Sequence, residues 1–379
     1  MESCQCQFNK KKFNISGEEK DDKILNKKRN KEGGQCILKS INFNNQKFPS
    51  PLVNIAFKKD IVSDSYIDEI GVDNIFIVFD SIDNILYLVY ANNDFSIIFY
   101  HLIDNKKINE IKKAHDYYIS NFRHYFDKNE KRDLILSISG FDNTIKLWNI
   151  NKLECILTIN EIYKSGEMTS GCFINENNNI YIVVCHDYFM GKPKQIKVFD
   201  LKGKKIKQIK DSNKRTFFVD NYYDNKNNKN YIIAGNNGDI NSYDYYNNKL
   251  YHKYNDEDYL YHDCIIIDEK DKILRLFETS NNGFIRIWNF HSGELIKRIK
   301  VSDRPVYGKC LWKSKYIFVG CNDFSIKLVD LNNGDIVQIF KVNNYNVLTL
   351  RKIFHPRFGE CLIFKGSKYD PIKLWVIKN

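Results

Sequence analysis

The sequence predicts an all-β protein built from seven similar four-stranded sheets. One pattern recurs along the chain: Asp, two residues, Ile, one residue, an apolar residue and an aromatic residue, most clearly in SGFDNTIKLWNI (139–150). The segments between the copies alternate apolar and polar residues with period two, which indicates β-strands. The copies stand between 41 and 51 residues apart, and their aromatic position is held by Tyr100, Trp148, Phe199, Tyr243, Trp288, Val329 and Trp375.

Each repeat shows the same order of segments. In the second repeat the apolar run DLILSIS (133–139) leads through an Asp-containing turn to TIKLWNI (144–150), where Lys146 is expected to face solvent. A further turn and alternating run follow, as at LIKRIK (295–300), and a less regular run such as VYGKCLW (306–312) begins the next repeat. Runs of this kind, bounded by Gly, Asn and Asp turns, predict four antiparallel strands per repeat.

A lone sheet of this size cannot bury both of its faces. Stacking the repeats face to face around an axis buries them and leaves only short, protected edges. The predicted fold is therefore a seven-bladed β-propeller of four-stranded antiparallel blades.

The repeats resemble those of the WD-repeat family. SGFDNTIKLWNI is similar to the end of a WD repeat, where an Asp closes the tight turn and Trp-Asp ends the third strand; here Trp-Asn stands at 148–149 and 288–289. IKKAHDYYISNF (111–122) resembles the family's Gly-His region, with Ala114 and His115 in place of Gly-His. The resemblance covers residues 72 to 377.

The resemblance implies structural roles for particular residues. Asp94, Asp142 and Asp323 take the place of the tight-turn Asp. His115 is expected to form hydrogen bonds within its own blade and to link a loop to a strand. The Trp residues that end third strands are Trp148, Trp288 and Trp375.

The seventh repeat ends after its third strand, at IKLWVI (372–377), and WD-repeat propellers supply the missing strand from the N-terminal segment. Two segments within 36–57 could do so. PLVNIAF (51–57) lies nearer the first blade and is preferred, whereas CILKSINF (36–43) is similar to CILTIN (155–160), which holds the fourth-strand place of its own repeat. Residues 1–35 are polar and charged and are predicted to be a disordered tail, so that residues 36–379 form one propeller domain.

The composition is that expected of an intracellular protein. Its ten Cys form no C-x-x-C pair, and several lie in apolar runs, as expected for reduced thiols that serve as small apolar residues. The N-terminus has no apolar region of a signal peptide, and no apolar run approaches the ~18 residues that a membrane span needs. We expect a cytoplasmic protein, with the nucleus as the alternative, and no membrane partner.

Catalytic and metal-binding motifs are missing from the sequence. It contains no H-x-H, H-E-x-x-H or G-x-S-x-G motif and no Gly-rich phosphate loop. We therefore predict no catalytic residue, no metal site and no cofactor. Enzymatic activity is the least favoured of the predicted functions.

Binding to another macromolecule is the favoured function, because aromatic and Arg side chains on rigid loop tips supply most of the energy of protein interfaces. The residue before the turn Asp points onto the face formed by the blade-to-blade loops, and Phe141 is notable there because an aromatic residue gains nothing from the core at that place. The predicted partner-binding residues are Phe141, Tyr117, Tyr118, Tyr163, Arg215, Tyr259, Arg304 and Tyr345.

The leading prediction is a non-catalytic scaffold or adaptor that binds a peptide or protein on this face, as a monomer within a larger complex. The alternative is a propeller associated with RNA or ribonucleoprotein, since the net charge of +11 permits binding to nucleic acid. The basic run LKGKKIKQIK (201–210) has no interleaved aromatic residue for base stacking, which favours the first prediction.

Overall fold

The computed structural model describes residues 54–62, 75–160, 167–187, 195–210, 216–256, 262–342, 346–366 and 371–378. They all belong to one of two compact units, Pro49–Asn379; the other unit, Met1–Phe48, lies outside the described residues, and with it the predicted tail and the segment 36–43. The described part contains 28 β-strands and no helix, hence none that could span a membrane.

The strands form seven four-stranded antiparallel sheets, which confirms the predicted fold. The first strand, β1 (Asn54–Val62), belongs to the last sheet. Blade 1 comprises β2 (Phe76–Asp80), β3 (Leu86–Ala91), β4 (Ile97–His101) and β5 (Lys106–Ile111). Blade 2 comprises β6 (Asn121–Asp127), β7 (Arg132–Ser139), β8 (Thr144–Asn149) and β9 (Glu154–Asn160). Blade 3 comprises β10 (Glu167–Glu176), β11 (Asn179–Asp187), β12 (Gln195–Asp200) and β13 (Lys205–Lys210).

The second half of the ring repeats this arrangement. Blade 4 comprises β14 (Thr216–Asp224), β15 (Lys229–Asn236), β16 (Ile240–Asp244) and β17 (Lys249–Tyr254). Blade 5 comprises β18 (His262–Lys270), β19 (Ile273–Ser280), β20 (Phe284–Asn289) and β21 (Leu295–Lys300). Blade 6 comprises β22 (Val306–Trp312), β23 (Tyr316–Cys321), β24 (Ser325–Asp330) and β25 (Ile336–Lys341). Blade 7 comprises β26 (Thr349–His355), β27 (Gly359–Lys365), β28 (Ile372–Lys378) and β1.

The aromatic position of the repeat lies on the third strand of every blade. In blades 1 to 6 the pairing between third and fourth strands shifts register at this residue, for example between Leu147 and Trp148 in blade 2 and between Ile287 and Trp288 in blade 5. In blade 7 the pairing stays regular from Leu374 to Val376, across Trp375. The bulge at this position therefore occurs in the six blades whose fourth strand directly follows the third in sequence. It is missing at Trp375 in blade 7, whose fourth strand is β1.

An N-terminal strand closes the ring, as predicted. β1 pairs antiparallel with β28 along its whole length, from Asn54 opposite Lys378 to Val62 opposite Ile372. It overlaps the preferred segment 51–57 but continues to Val62, beyond the predicted boundary at residue 57. The pairing covers the edge that the seventh repeat would otherwise expose.

The core of the described part lies between the blades. Apolar side chains form seven buried clusters, and each cluster joins two neighbouring blades. The cluster that contains Phe76 and Leu88 of blade 1 also contains Ile363 and Leu374 of blade 7, so apolar contacts as well as strand pairing close the ring. Both faces of a blade are thus covered by its neighbours.

The expectation that Lys146 faces solvent is wrong, because of this two-sided burial. Its side chain lies partly buried, and its Nζ donates a hydrogen bond of 2.6 Å to the carbonyl of Ala114, in the loop before blade 2. The equivalent residues of blades 5 and 6, two positions before the aromatic site, are Arg286 and Lys327, which are both buried. Lys327 likewise donates to the carbonyl of Val301, in the loop before its blade. Basic side chains of the third strand therefore donate hydrogen bonds to the loops between blades.

Candidate docking face

Two kinds of loop meet on one side of the ring: the turns between second and third strands, and the connections between blades. Asn322, in the β23–β24 turn, donates its backbone N–H to Pro305 in the connection before blade 6. Val342, after β25, donates to the carbonyl of Phe324 in that same turn. We call this side the loop face, and it is the face on which the sequence predicts partner binding.

In blade 2 the loop face is held by a hydrogen-bond network centred on His115. This residue is 1% exposed and lies in the connection between β5 and β6. Its Nδ1 lies 3.0 Å from Asp142 Oδ2, and its Nε2 lies 2.7 Å from Ser137 Oγ. Ser137 Oγ also accepts a hydrogen bond of 2.8 Å from Nε1 of Trp148. The network joins the β5–β6 connection, the β7–β8 turn, and the second and third strands of the blade, β7 and β8.

A neutral imidazole satisfies every member of this network. With its proton on Nδ1, His115 donates to Asp142 and accepts at Nε2 from the Ser137 hydroxyl. Burial lowers the pKa of His115, although the Asp142 carboxylate opposes that shift. Burial alone would raise the pKa of Asp142, but hydrogen bonds from His115 and Thr144 lower it. Burial therefore favours the neutral form of His115, whose two ring nitrogens both lie within hydrogen-bond distance of partners in the blade.

Beside this network four aromatic rings form one continuous surface, which we call the aromatic patch: Phe95, Tyr117, Tyr118 and Phe141. The Tyr117 ring lies centrally, 4.8 Å from Tyr118, 5.8 Å from Phe95 and 4.7 Å from Phe141 between ring centroids. Tyr117 is 41% exposed and Phe141 44%. Three predicted partner-binding residues are thus brought together on blades 1 and 2.

Phe95 belongs to the aromatic patch, and sequence reasoning missed it. It follows Asp94 in the β3–β4 turn with a left-handed φ of 64°, at the place where blade 2 has Asn143. A bulky residue seldom adopts this conformation, because its Cβ approaches the following carbonyl oxygen. The available signal was a Phe at a turn position that ordinarily takes Asn or Gly.

The other predicted partner-binding residues do not join the patch. Arg304 is exposed on the loop face but lies between blades 5 and 6. The remaining four fall outside the described residues: Tyr163, Arg215, Tyr259 and Tyr345.

The remaining repeat residues occupy turns and core. Asp94 Oδ1 accepts the backbone N–H of Ser96, and Asp323 accepts a hydrogen bond of 2.6 Å from Lys327. Trp288 and Trp375 are each 3% exposed, and Trp375 packs edge-on against Phe364 at 4.7 Å.

Two buried thiols of blade 6 have raised pKa values. Burial raises the pKa of the Cys310 and Cys321 thiols to about 12, so both stay protonated and unreactive near neutral pH. Among the residues described, no group of His, Cys, Asp and Glu side chains could hold a metal ion. The exposed rings, in contrast, offer apolar area on a rigid support.

Comparison with known proteins shows similarity of fold and no similarity to a sequence family. No protein-family model matches the chain, and no curated protein matches it. Solved structures provide 1495 similar chains, so the fold is a common one. One is the crystal structure of Chaetomium thermophilum Raptor, with a TM-score of 0.63 and 16% identity, covering 86% of this chain and 29% of that one. At this identity the similarity shows the fold alone, which fits a WD-repeat-like propeller.

Proposed function

We propose that this chain is a WD-repeat propeller that serves as a non-catalytic scaffold and binds a peptide or protein segment on its loop face. The observation that carries the proposal is the aromatic patch on blades 1 and 2. Its exposed rings contribute to no core, and the turn that presents Phe95 adopts a conformation that is unfavourable for Phe. Such a set of rigid aromatic side chains is typical of the centre of a protein interface.

The geometry of the patch favours a ligand that lies across it. Ring centroids 4.7 to 5.8 Å apart leave no gap into which a further side chain could insert between two rings. The neighbouring residues Asn93, Lys112 and Asp116 are polar and exposed, which gives the patch the polar rim of an interface. We place the scaffold in the cytoplasm, with the nucleus as the alternative, as a monomer within a larger complex.

The test compares two double variants of the full chain by affinity purification from native cells. Tyr117→Ala with Phe141→Ala removes the two most exposed rings of the patch. Tyr223→Ala with Tyr246→Ala removes two rings of matched exposure, both 41%, near turns on the opposite side of the ring. We expect the first variant to lose the main partners, the second to keep them, and both to melt like the unchanged protein. Equal recovery of partners by both variants would refute the assignment of the patch.

A further inference from the structure

A second continuous surface lies on the loop face between blades 5 and 6. The backbone of the connection between these blades crosses directly over Gly283 in the β19–β20 turn. A Cβ at Gly283 would lie 1.8 Å from the carbonyl oxygen of Ser302 and 3.0 Å from that of Arg304. Asn322, in the β23–β24 turn, bonds to the other end of the connection, at Pro305. One connection therefore joins the turns of two blades into a single surface.

Basic side chains predominate on this surface. Arg298, Lys300, Arg304 and Lys341 are all exposed, and Arg304 makes no ion pair with any described residue. Lys341 lies opposite Ser325, the first residue after the β23–β24 turn. Burial alone would raise the pKa of Asp323, but Lys327, Ser325 and Lys341 lower it. Among the described residues of this surface, buried ones included, six are basic and four are acidic: Arg286, Arg298, Lys300, Arg304, Lys327 and Lys341, and Asp256, Glu278, Asp303 and Asp323.

All four of these carboxylates pair with basic residues of the surface; Glu278 lies 3.3 Å from Arg286, and Asp303 lies 3.5 Å from Lys300. Asp256 Oδ2 lies 2.7 Å from Arg286 Nε and 3.1 Å from an Arg298 terminal nitrogen. Asp323 Oδ2 lies 2.6 Å from Lys327 Nζ. The excess of positive charge is therefore carried by the exposed side chains.

An exposed Phe lies in the β23–β24 turn, next to the strand that carries Lys341. Phe324 is 40% exposed and has a left-handed φ of 61°, at the turn position that Gly238 and Gly283 hold in blades 4 and 5. An aromatic residue is conformationally unfavourable there and contributes little to the core, as at Phe95. The surface thus combines an apolar contact point with surrounding positive charge.

We infer that this basic patch, comprising Arg298, Lys300, Arg304, Phe324 and Lys341, binds an acidic segment of a protein partner. The segment would be rich in Asp and Glu and would carry an apolar side chain that covers Phe324. Complementary charge supplies attraction and orientation, and the apolar contact supplies a fixed register. The inference does not depend on the aromatic patch, because the two patches share no residue.

The observations favour an extended acidic segment over RNA. The face of the Phe284 ring, which could stack on a base, is already occupied by Arg298 at 4.0 Å and Lys300 at 4.7 Å. The four cations are spread over two strands and a connection, which suits carboxylates distributed along a peptide.

The experiment titrates the full chain against a short labelled peptide of Glu and Asp with one central Phe, followed by fluorescence anisotropy. We expect binding at low salt that weakens as salt rises, because exposed charges are screened. Lys300→Gln, Arg304→Gln and Lys341→Gln together should weaken binding about tenfold, a sum of modest contributions from each charge. Phe324→Asn should weaken binding about threefold without lowering the melting temperature, since Asn tolerates the left-handed conformation.

The matched control removes the same charge from turns on the opposite side: Lys128→Gln, Lys202→Gln and Lys204→Gln, all exposed positions. It should weaken peptide binding by less than about twofold. Equal weakening by the control, or no peptide binding at low salt, would overturn the inference. A uridine-rich RNA of equal charge that binds more tightly, and loses affinity in the patch variant, would assign the patch to RNA instead. The Tyr117→Ala, Phe141→Ala variant should bind the peptide normally, which separates this test from that of the aromatic patch.

Discussion

Blades 2 and 5 both end their third strand with Trp-Asn, yet they stabilise their interiors differently. In blade 2, Ser137 lies opposite Lys146 and links Trp148 to His115 through neutral hydrogen bonds. In blade 5 the equivalent residue is Glu278, fully buried opposite Arg286 and 3.3 Å from it. Nε1 of Trp288 is buried and finds no acceptor among the described residues. The residue on the second strand, and not the shared Trp, decides whether a blade contains a neutral network or an ion pair.

The largest expected effect comes from replacing the basic residue on the third strand in these two blades, Arg286 in blade 5 and Lys146 in blade 2. Arg286→Met leaves Glu278 buried without this partner and should lower the free energy of unfolding by about 3–5 kcal/mol. Lys146→Met loses one hydrogen bond to a carbonyl and should cost about 1 kcal/mol. Thermal and denaturant unfolding measure the difference. Arg286→Met combined with Glu278→Leu should recover more than half of the loss, and equal costs for the two single variants would remove the contrast between the blades.

His115→Ala tests the neutral network of blade 2. It removes the hydrogen bonds of the His115 ring to Ser137 and Asp142 and creates a cavity, so it should lower the free energy of unfolding by about 2–3 kcal/mol. Circular dichroism melts provide the measurement. His252→Ala is a suitable control because this His lies on an outer strand and is only partly buried; a similar loss there would argue against a special role for His115.

The two Trp residues offer a finer comparison. Trp148→Phe removes the hydrogen bond to Ser137, whereas Trp288→Phe removes an N–H that bonds to no described acceptor. Both substitutions lose similar apolar area, so Trp148→Phe should cost about 1 kcal/mol more. A larger cost for Trp288→Phe in the same unfolding assay would show that its indole N–H has an acceptor.

The smallest expected effect is the dependence of folding stability on pH that arises from His115 in blade 2. Because burial lowers the pKa of His115, the unfolded chain takes up a proton that the folded chain does not, and stability is lost as pH falls below the unfolded value. Between about pH 7.5 and about pH 5.5 the melting temperature should fall, and His115→Gln should reduce this fall by about 2–3 °C. His124 and His355, whose pKa values are also lowered by burial, account for a remaining decrease. Trp288→Phe, which changes no titratable group, should show the same pH dependence as the unchanged protein, and an identical fall in His115→Gln would contradict the prediction.

The sequence by itself determined the number of blades and the place of every third strand. Alternation with period two and Asp- or Asn-containing turns are local properties, so Trp148, Trp288 and Trp375 could be placed on strands without knowledge of their neighbours. Local reasoning also placed Tyr117, Tyr118 and Phe141 at loop tips, because blade-to-blade connections and the turns after second strands share one side of a propeller.

Only the tertiary structure decided which of these residues meet and which way the polar ones point. Phe95 joins the aromatic patch because a turn of blade 1 touches the connection to blade 2, a contact that no local pattern encodes. Lys146 turns inward because both faces of a propeller blade are covered by neighbours, so that alternation along the strand no longer distinguishes core from solvent. The extent of β1 likewise depends on its partner β28, at the other end of the sequence, and strand pairing over that separation is set by the closed ring.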